Sequence, residues 1–165
     1  MENNRISLLD GWRFALTQDS QAINRDFDDS SWRILDLPHD WQIEQPRELG
    51  KPDSGRQGFF PREHIGVYRY HFYARKEWKD KCIRILFDGI QHFSTVYLNG
   101  KKIGERPYGY VPFLCDLTNI LDFDQENVLV VWVDNRDFSN GSWSAYGGDR
   151  WYSGAGIYRK VWLLV

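Results

Sequence analysis

Ser94-Thr95-Val96-Tyr97-Leu98-Asn99-Gly100-Lys101-Lys102-Ile103-Gly104 decides the fold. Strand-forming residues flank Asn99-Gly100, and Asn-Gly is the dipeptide that best tolerates the positive φ angles of a two-residue hairpin. Working outward, the same period of two recurs. In Cys82-Ile83-Arg84-Ile85-Leu86-Phe87 it turns Ile83, Ile85 and Phe87 inward, and in Val67 to Tyr73 it puts Tyr68, Tyr70 and Phe72 on one face. Trp12 to Leu16 alternates as well. Asn127 to Val133 is apolar on both faces and reads as a central strand, and Ile157 to Val165 supplies a closing one. No window keeps a helical stripe, and Asp116 to Phe123 reads as a turn or a short 3₁₀ piece. Short strands punctuated by Gly, Pro and Asn predict an all-β sandwich or barrel. Gln42 to Ile65, carrying Pro46, Pro52 and Pro61 without any period, reads as a long surface loop.

A length of 165 residues suits one domain with its own core. The net charge of −2, with basic residues scattered, gives no reason to expect nucleic acid or an anionic membrane as partner. The 16% aromatic content, including 8 Trp, suits sandwich cores and the stacking of sugar rings alike. No apolar run has the length of a membrane span. Met1-Glu2-Asn3-Asn4 opens the chain without a basic or apolar leader, so no signal peptide is read, and cytoplasmic, periplasmic and secreted locations all stay open. Cys82 and Cys115 are expected to be buried free thiols. Ending on Val165 within an apolar run, the chain reads as a domain of something longer.

Chemistry concentrates in Gly147-Gly148-Asp149-Arg150-Trp151-Tyr152-Ser153-Gly154-Ala155-Gly156-Ile157-Tyr158-Arg159. Glycines permit tight turns here, so the aromatics and the Asp-Arg pair stand either on a recognition loop or at a structural corner plugged by Trp151 and Tyr152. The residues alone favour the corner, because buried aromatics mostly pack. Catalytic signatures fail. Gly154-Ala155-Gly156 lacks the third glycine of a dinucleotide loop, with Arg159 in its place. No Gly-x-Ser-x-Gly elbow exists, the histidines are too scattered for zinc, and no carboxylate spacing marks a glycosidase pair. His39-Asp40 is either an orienting pair for catalysis or a hydrogen-bonded corner, and the corner is expected. Asn140-Gly141-Ser142 reads as a turn.

Read together and in order, these blocks resemble the N-terminal sugar-binding domain of family 2 glycoside hydrolases, the β-galactosidases, β-glucuronidases and β-mannosidases. The blocks are Asp10-Gly11-Trp12-Arg13-Phe14, Asp28 to Trp32, Leu37-Pro38-His39-Asp40-Trp41, Gly66 to Arg69, Phe87 to Ile90, Val96 to Gly100, Gly109 to Thr118, Asn127 to Asn135 and Arg150 to Arg159. The last resembles the β-galactosidase branch most. The resemblance implies an all-β jelly-roll β-sandwich of two antiparallel sheets with little or no helix, in one sugar-binding domain over residues 1–165. It implies a parent enzyme that hydrolyses O-glycosidic bonds with retention. The catalytic glutamates of that parent lie in a (β/α)₈ barrel beyond an immunoglobulin-like domain, both absent from this chain, so no catalytic residue maps here. What maps is a contribution to the pocket for a β-galactoside or related glycan. Asp149 is the implied ligand of the sugar and of a monovalent cation, with Arg150, Asn135 and Trp151 as further substrate-binding residues. Trp151 is read as buttressing the loop more than stacking on the ring, and Arg159 as pairing with a carboxylate inside the sandwich. No cofactor is implied in this chain, with Na⁺ or Mg²⁺ belonging to the full-length enzyme. The implied partners are the sugar and the absent domains of the same chain, the parent being a homo-oligomer in part of the family. A self-sufficient carbohydrate-binding module of lectin type, or a purely architectural domain, is the alternative.

Overall fold

A computed structural model describes residues 5–48, 60–61, 63–136, 152 and 154–165. The strands are β1 (Arg5–Ser7), β2 (Trp12–Leu16), β3 (Arg33–Leu35), β4 (Ile65–Tyr73), β5 (Arg84–Phe87), β6 (Phe93–Leu98), β7 (Lys101–Arg106), β8 (Phe113–Asp116), β9 (Glu126–Asp134) and β10 (Val161–Leu164). They form a four-stranded sheet, β1-β10-β5-β8, and a six-stranded sheet, β3-β2-β4-β9-β6-β7. Within both sheets every neighbouring pair is antiparallel. This is the expected jelly-roll β-sandwich, and among the described residues its helical content is confined to 3₁₀ turns such as Ser20–Ile23 and Lys76–Trp78.

The main core lies between the sheets. Trp12, Phe14, Tyr68, Val96, Leu129, Val131 and Val133 from one sheet meet Ile85, Phe87, Phe113, Val161 and Leu163 from the other. β9 is apolar on both faces because it is buried on both. Its odd positions from Leu129 face the sandwich, while Val128 and Val130 join Val67, Ile65 and Ala22 in a second cluster beneath residues 19–32. The β6–β7 hairpin turns at Asn99 and Gly100, with φ of 51° and 80°. Asn99 adds more than conformational tolerance, since its Oδ1 accepts from Val128 N–H at 2.8 Å and ties the turn to β9. Thr118 N–H and hydroxyl both donate to Asp116 Oδ1, closing the turn expected after Asp116.

Two expectations change. Cys115 is buried and its thiol is pushed up to about 12 by burial, but Cys82 is exposed. The alternation that sends Ile83 into the core sends Cys82 out. Arg159 is exposed and has no carboxylate partner among the described residues. Its Cδ instead lies over Gly89, where a Cβ would sit 2.9 Å from it. The 42–65 connection opens with a 3₁₀ turn at Gln42–Glu44, and most of its remainder lies outside the described residues.

Candidate functional site

One end of the sandwich gathers the start of β4, the end of β9, the start of β6 and the end of β7, as the pairings Ile65↔Asp134, Phe93↔Asp134 and Ser94↔Arg106 require. Two extended segments run side by side there. His39 N–H donates to Ile157 O at 2.9 Å and Trp41 N–H to Ala155 O at 3.0 Å. On its other side the second segment exchanges two bonds between Gly156 and Gln91, of 2.6 and 2.8 Å. Gly156 has φ of 126°, and a Cβ would meet the Tyr68 hydroxyl at 2.4 Å and His39 O at 2.6 Å, so only glycine fits. Trp41, 1% exposed, lies across Gly66 of β4 in the same way.

His39 and Asp40 alternate in direction, as extended neighbours must. The His39 ring is buried, with Nδ1 2.8 Å from the Tyr68 hydroxyl and Nε2 3.3 Å from Glu44 Oε1. Glu44 in turn takes both arms of the Arg33 guanidinium at 2.7 and 2.8 Å. A carboxylate only accepts, so Nε2 carries the proton and Nδ1 accepts from Tyr68 O–H. Burial lowers the His39 pKa, with the Glu44 charge opposing, and burial raises that of Tyr68 well above its usual value. The pair is a hydrogen-bonded corner, as expected, with His39 buried and Asp40 partly exposed. Because His39 is held below its unfolded value of about 6.5, its contribution to stability is complete above that pH. It is lost as pH falls through the depressed folded value. Urea unfolding at about pH 7.5 and about pH 5.5 should therefore show a loss of stability that shrinks in His39→Gln, and an unchanged pH slope in the variant would contradict this.

Asp40 faces the other way and meets Tyr152, Gln42 and Ala155. Behind it Asn135, 1% exposed, donates from its main chain to His64 O at 3.2 Å and from Nδ2 to Gln42 Oε1 at 3.4 Å. Asn135 Oδ1 and Gln42 Nε2 are buried and have no hydrogen-bond partner among the described residues. A buried polar corner of this kind suits support of neighbouring residues more than chemistry within the corner.

The family model described as glycosyl hydrolases family 2, sugar binding domain, matches residues 6–165. This chain belongs to that family. It is 45% identical over 152 residues to a β-galactosidase of Bacteroides ovatus, covering 92% of this chain and 17% of that protein. To a β-glucuronidase of Bacteroides fragilis it is 31% identical over 165 residues, covering 97% and 20%. Among solved structures, a β-glycosidase from Bacteroides vulgatus superposes with a TM-score of 0.83 at 37% identity, covering 98% of this chain and 20% of that one. The chain thus spans at most about a fifth of the length of these relatives.

Of the residues implied as sugar contacts in this sugar-binding domain, Asn135 sits inside the corner, turned toward Gln42. Asp149, Arg150 and Trp151 lie outside the described residues. The described residues on either side of them are both tied into the corner. Arg136 folds back on Asp134, with its Nη2 2.6 Å from Oδ2, and the Tyr152 hydroxyl donates to Asp40. Among the described residues no group of three or more His, Cys, Asp or Glu is arranged to hold a metal ion. Gln42, Glu44, Gln91 and Tyr152 also build the corner. Nothing local in the sequence marks Gln42, Gln91 and Tyr152, whose partners include groups 93, 65 and 112 positions away, while Glu44 meets the nearer Arg33 and His39.

Proposed function

We propose that this chain is the non-catalytic N-terminal sugar-binding domain of a β-galactosidase-like family 2 glycoside hydrolase. On this reading Asp149, Arg150 and Trp151 reach the sugar pocket of a (β/α)₈ barrel elsewhere in the parent, which cleaves O-glycosidic bonds with retention. A β-galactoside is favoured over a β-glucuronide by 45% identity to a protein named β-galactosidase, against 36% and 31% to two relatives whose names say β-glucuronidase. The observation that carries the reading is the corner itself. Its backbone bonds, the Gly156 close approach and the Asp40 carboxylate hold the described residues that follow the Asp149-Arg150-Trp151 block in sequence. The carboxylate of Asp149 and the guanidinium of Arg150 suit the directional hydroxyls of a sugar. A carboxylate is also a hard oxygen donor, so Asp149 is the residue that would hold Na⁺ or Mg²⁺ at the pocket. Exposed Tyr108, Tyr110 and Val111, on the β7–β8 connection at the same end, offer apolar area for the barrel to cover.

A crystal structure of the full-length protein with galactose bound tests this. Asp149 within hydrogen-bond distance of a sugar hydroxyl is the expected result. A sugar-filled barrel pocket with residues 149–151 remote from it would refute the pocket role and leave an architectural domain. Saturable galactose binding by the isolated chain would favour the self-sufficient module.

A further inference from the structure

We propose that the end of the sandwich opposite the corner carries a binding cleft for a neutral, hydroxyl-rich glycan. This site does not depend on the role proposed for Asp149. The cleft has a volume of about 360 Å³, inside the range of about 300–1,000 Å³ found for small-ligand sites. Three segments far apart in sequence wall it. Asn24, Arg25 and Asp26 come from the 19–32 segment, Asn99 and Lys101 from the β6–β7 hairpin, and Ile120 and Asp122 from the β8–β9 connection. β6 runs from the corner at Phe93 to the cleft at Leu98, which sets the two about 17 Å apart. The walls are tied to one another. Asn127, 0% exposed, accepts at Oδ1 from Asn99 Nδ2 at 3.0 Å and from Asp122 N–H at 2.9 Å, and its Nδ2 donates to Asp122 O at 2.7 Å. One buried amide thus joins the hairpin to the β8–β9 connection. Arg69 holds the third wall, donating to Asn24 O and Arg25 O at 2.9 and 3.3 Å, and the Arg25 guanidinium pairs with Asp122. Gly100 packs the hairpin against that wall, since a Cβ there would lie 3.7 Å from Asn24 Oδ1. A site fixed in this way loses little affinity to ordering. Its charges select the ligand. Arg25 and Lys101 oppose a bare metal cation, Asp26 and Asp122 oppose a phosphate or a uronate, and the two pairs cancel. Lys101 and Asp26 make no hydrogen bond or ion pair among the described residues, which leaves an ammonium and a carboxylate for a ligand. A hydroxyl both donates and accepts, so vicinal hydroxyls suit a carboxylate, an ammonium and carboxamides set side by side. Ile120 adds apolar contact for the C–H face of a ring. A glycan is preferred to other polyols because the family is one of sugar-binding domains.

Asp26→Ala and Lys101→Ala in the full-length protein test the cleft. Both side chains are exposed and neither belongs to an apolar cluster, so folding is not at stake. Electrophoresis through gels containing neutral β-galactan, β-glucan or β-mannan should retard the unmodified protein in at least one of them. Each substitution should weaken the apparent affinity about tenfold or more, the effect of removing a hydrogen bond to a charged group. Crystals soaked with a thio-linked β-disaccharide of the retarding sugar should show it touching Asp26 or Lys101. Retardation by none of the three polysaccharides, or equal retardation of the unmodified protein and both variants, would overturn the cleft. Retardation that survives both substitutions and is lost in Asp149→Ala would overturn it too, while leaving the pocket reading standing. Retardation by polygalacturonate alone, or binding of inorganic phosphate or Ca²⁺ alone that both substitutions weaken, would overturn the neutral-glycan assignment.

Discussion

Replacing Arg69 with methionine is expected to destabilise this domain by about 3–5 kcal/mol, the range for removing one partner of a buried ion pair. The side chain is 0% exposed although it stands on the face of β4 directed away from the main core. Its Nε donates to Asp29 Oδ2 at 2.5 Å. Nη1 donates to the carbonyls of Ala22 and Asn24 at 2.6 and 2.9 Å, and Nη2 to those of Arg25 and Phe27 at 3.3 and 3.4 Å. Methionine would match the aliphatic stem and supply none of these donors, taking a donor from four carbonyls and weakening the hold on a carboxylate that is 3% exposed. Burial works to raise the Asp29 pKa, yet the hydrogen bonds from His71 and Arg69 outweigh it and hold the group below its usual range. The segment that Arg69 holds is the lid over Val67, Val128 and Val130, so the apolar cluster beneath would be loosened too. Urea unfolding should report the loss, and a thermal scan a fall of about 10 °C. A change under about 1 kcal/mol would mean that the network is solvated and contributes as an exposed pair does.

Arg69 also shows where sequence reasoning stops. The alternation Tyr68-Arg69-Tyr70 places Arg69 opposite the aromatic face, and in a sandwich the opposite face is ordinarily wet. It is dry here because residues 19–32 fold across it, a tertiary event without a local signature. The same cover explains why Asn127 to Val133 lacks a polar face, a pattern that was legible, although its cause was not. Asn99-Gly100 was fully legible, since a two-residue hairpin demands positive φ at both positions. A strand-like context does not by itself mean burial for Cys82, since the period that buries Ile83 exposes its neighbour. In the corner, the glycines announced close approach but not what approaches. Tyr68, His39 and Trp41 converge on Gly156 from segments far away in the chain. The assignment of Asp149, Arg150, Asn135 and Trp151 to a sugar rests on resemblance alone, and of these Asn135 is buried in this chain and bonded to Gln42.

The second large effect concerns Asp149. A carboxylate that accepts from sugar hydroxyls makes charge-assisted bonds worth about 1.5–3 kcal/mol, so Asp149→Ala should lower kcat/KM of the full-length protein roughly 10- to 150-fold. A matching Asp149→Asn variant should recover part of the loss, because an amide still accepts from one hydroxyl while lacking the charge. Thermal unfolding should be unchanged, since on this reading the carboxylate acts on the sugar and not on the fold. Steady-state kinetics of Asp149→Ala on a nitrophenyl β-galactoside is the most direct measurement. A fall within that range in a normally folded enzyme is what a sugar-facing corner requires, and KM and kcat equal to those of the unmodified protein would contradict it.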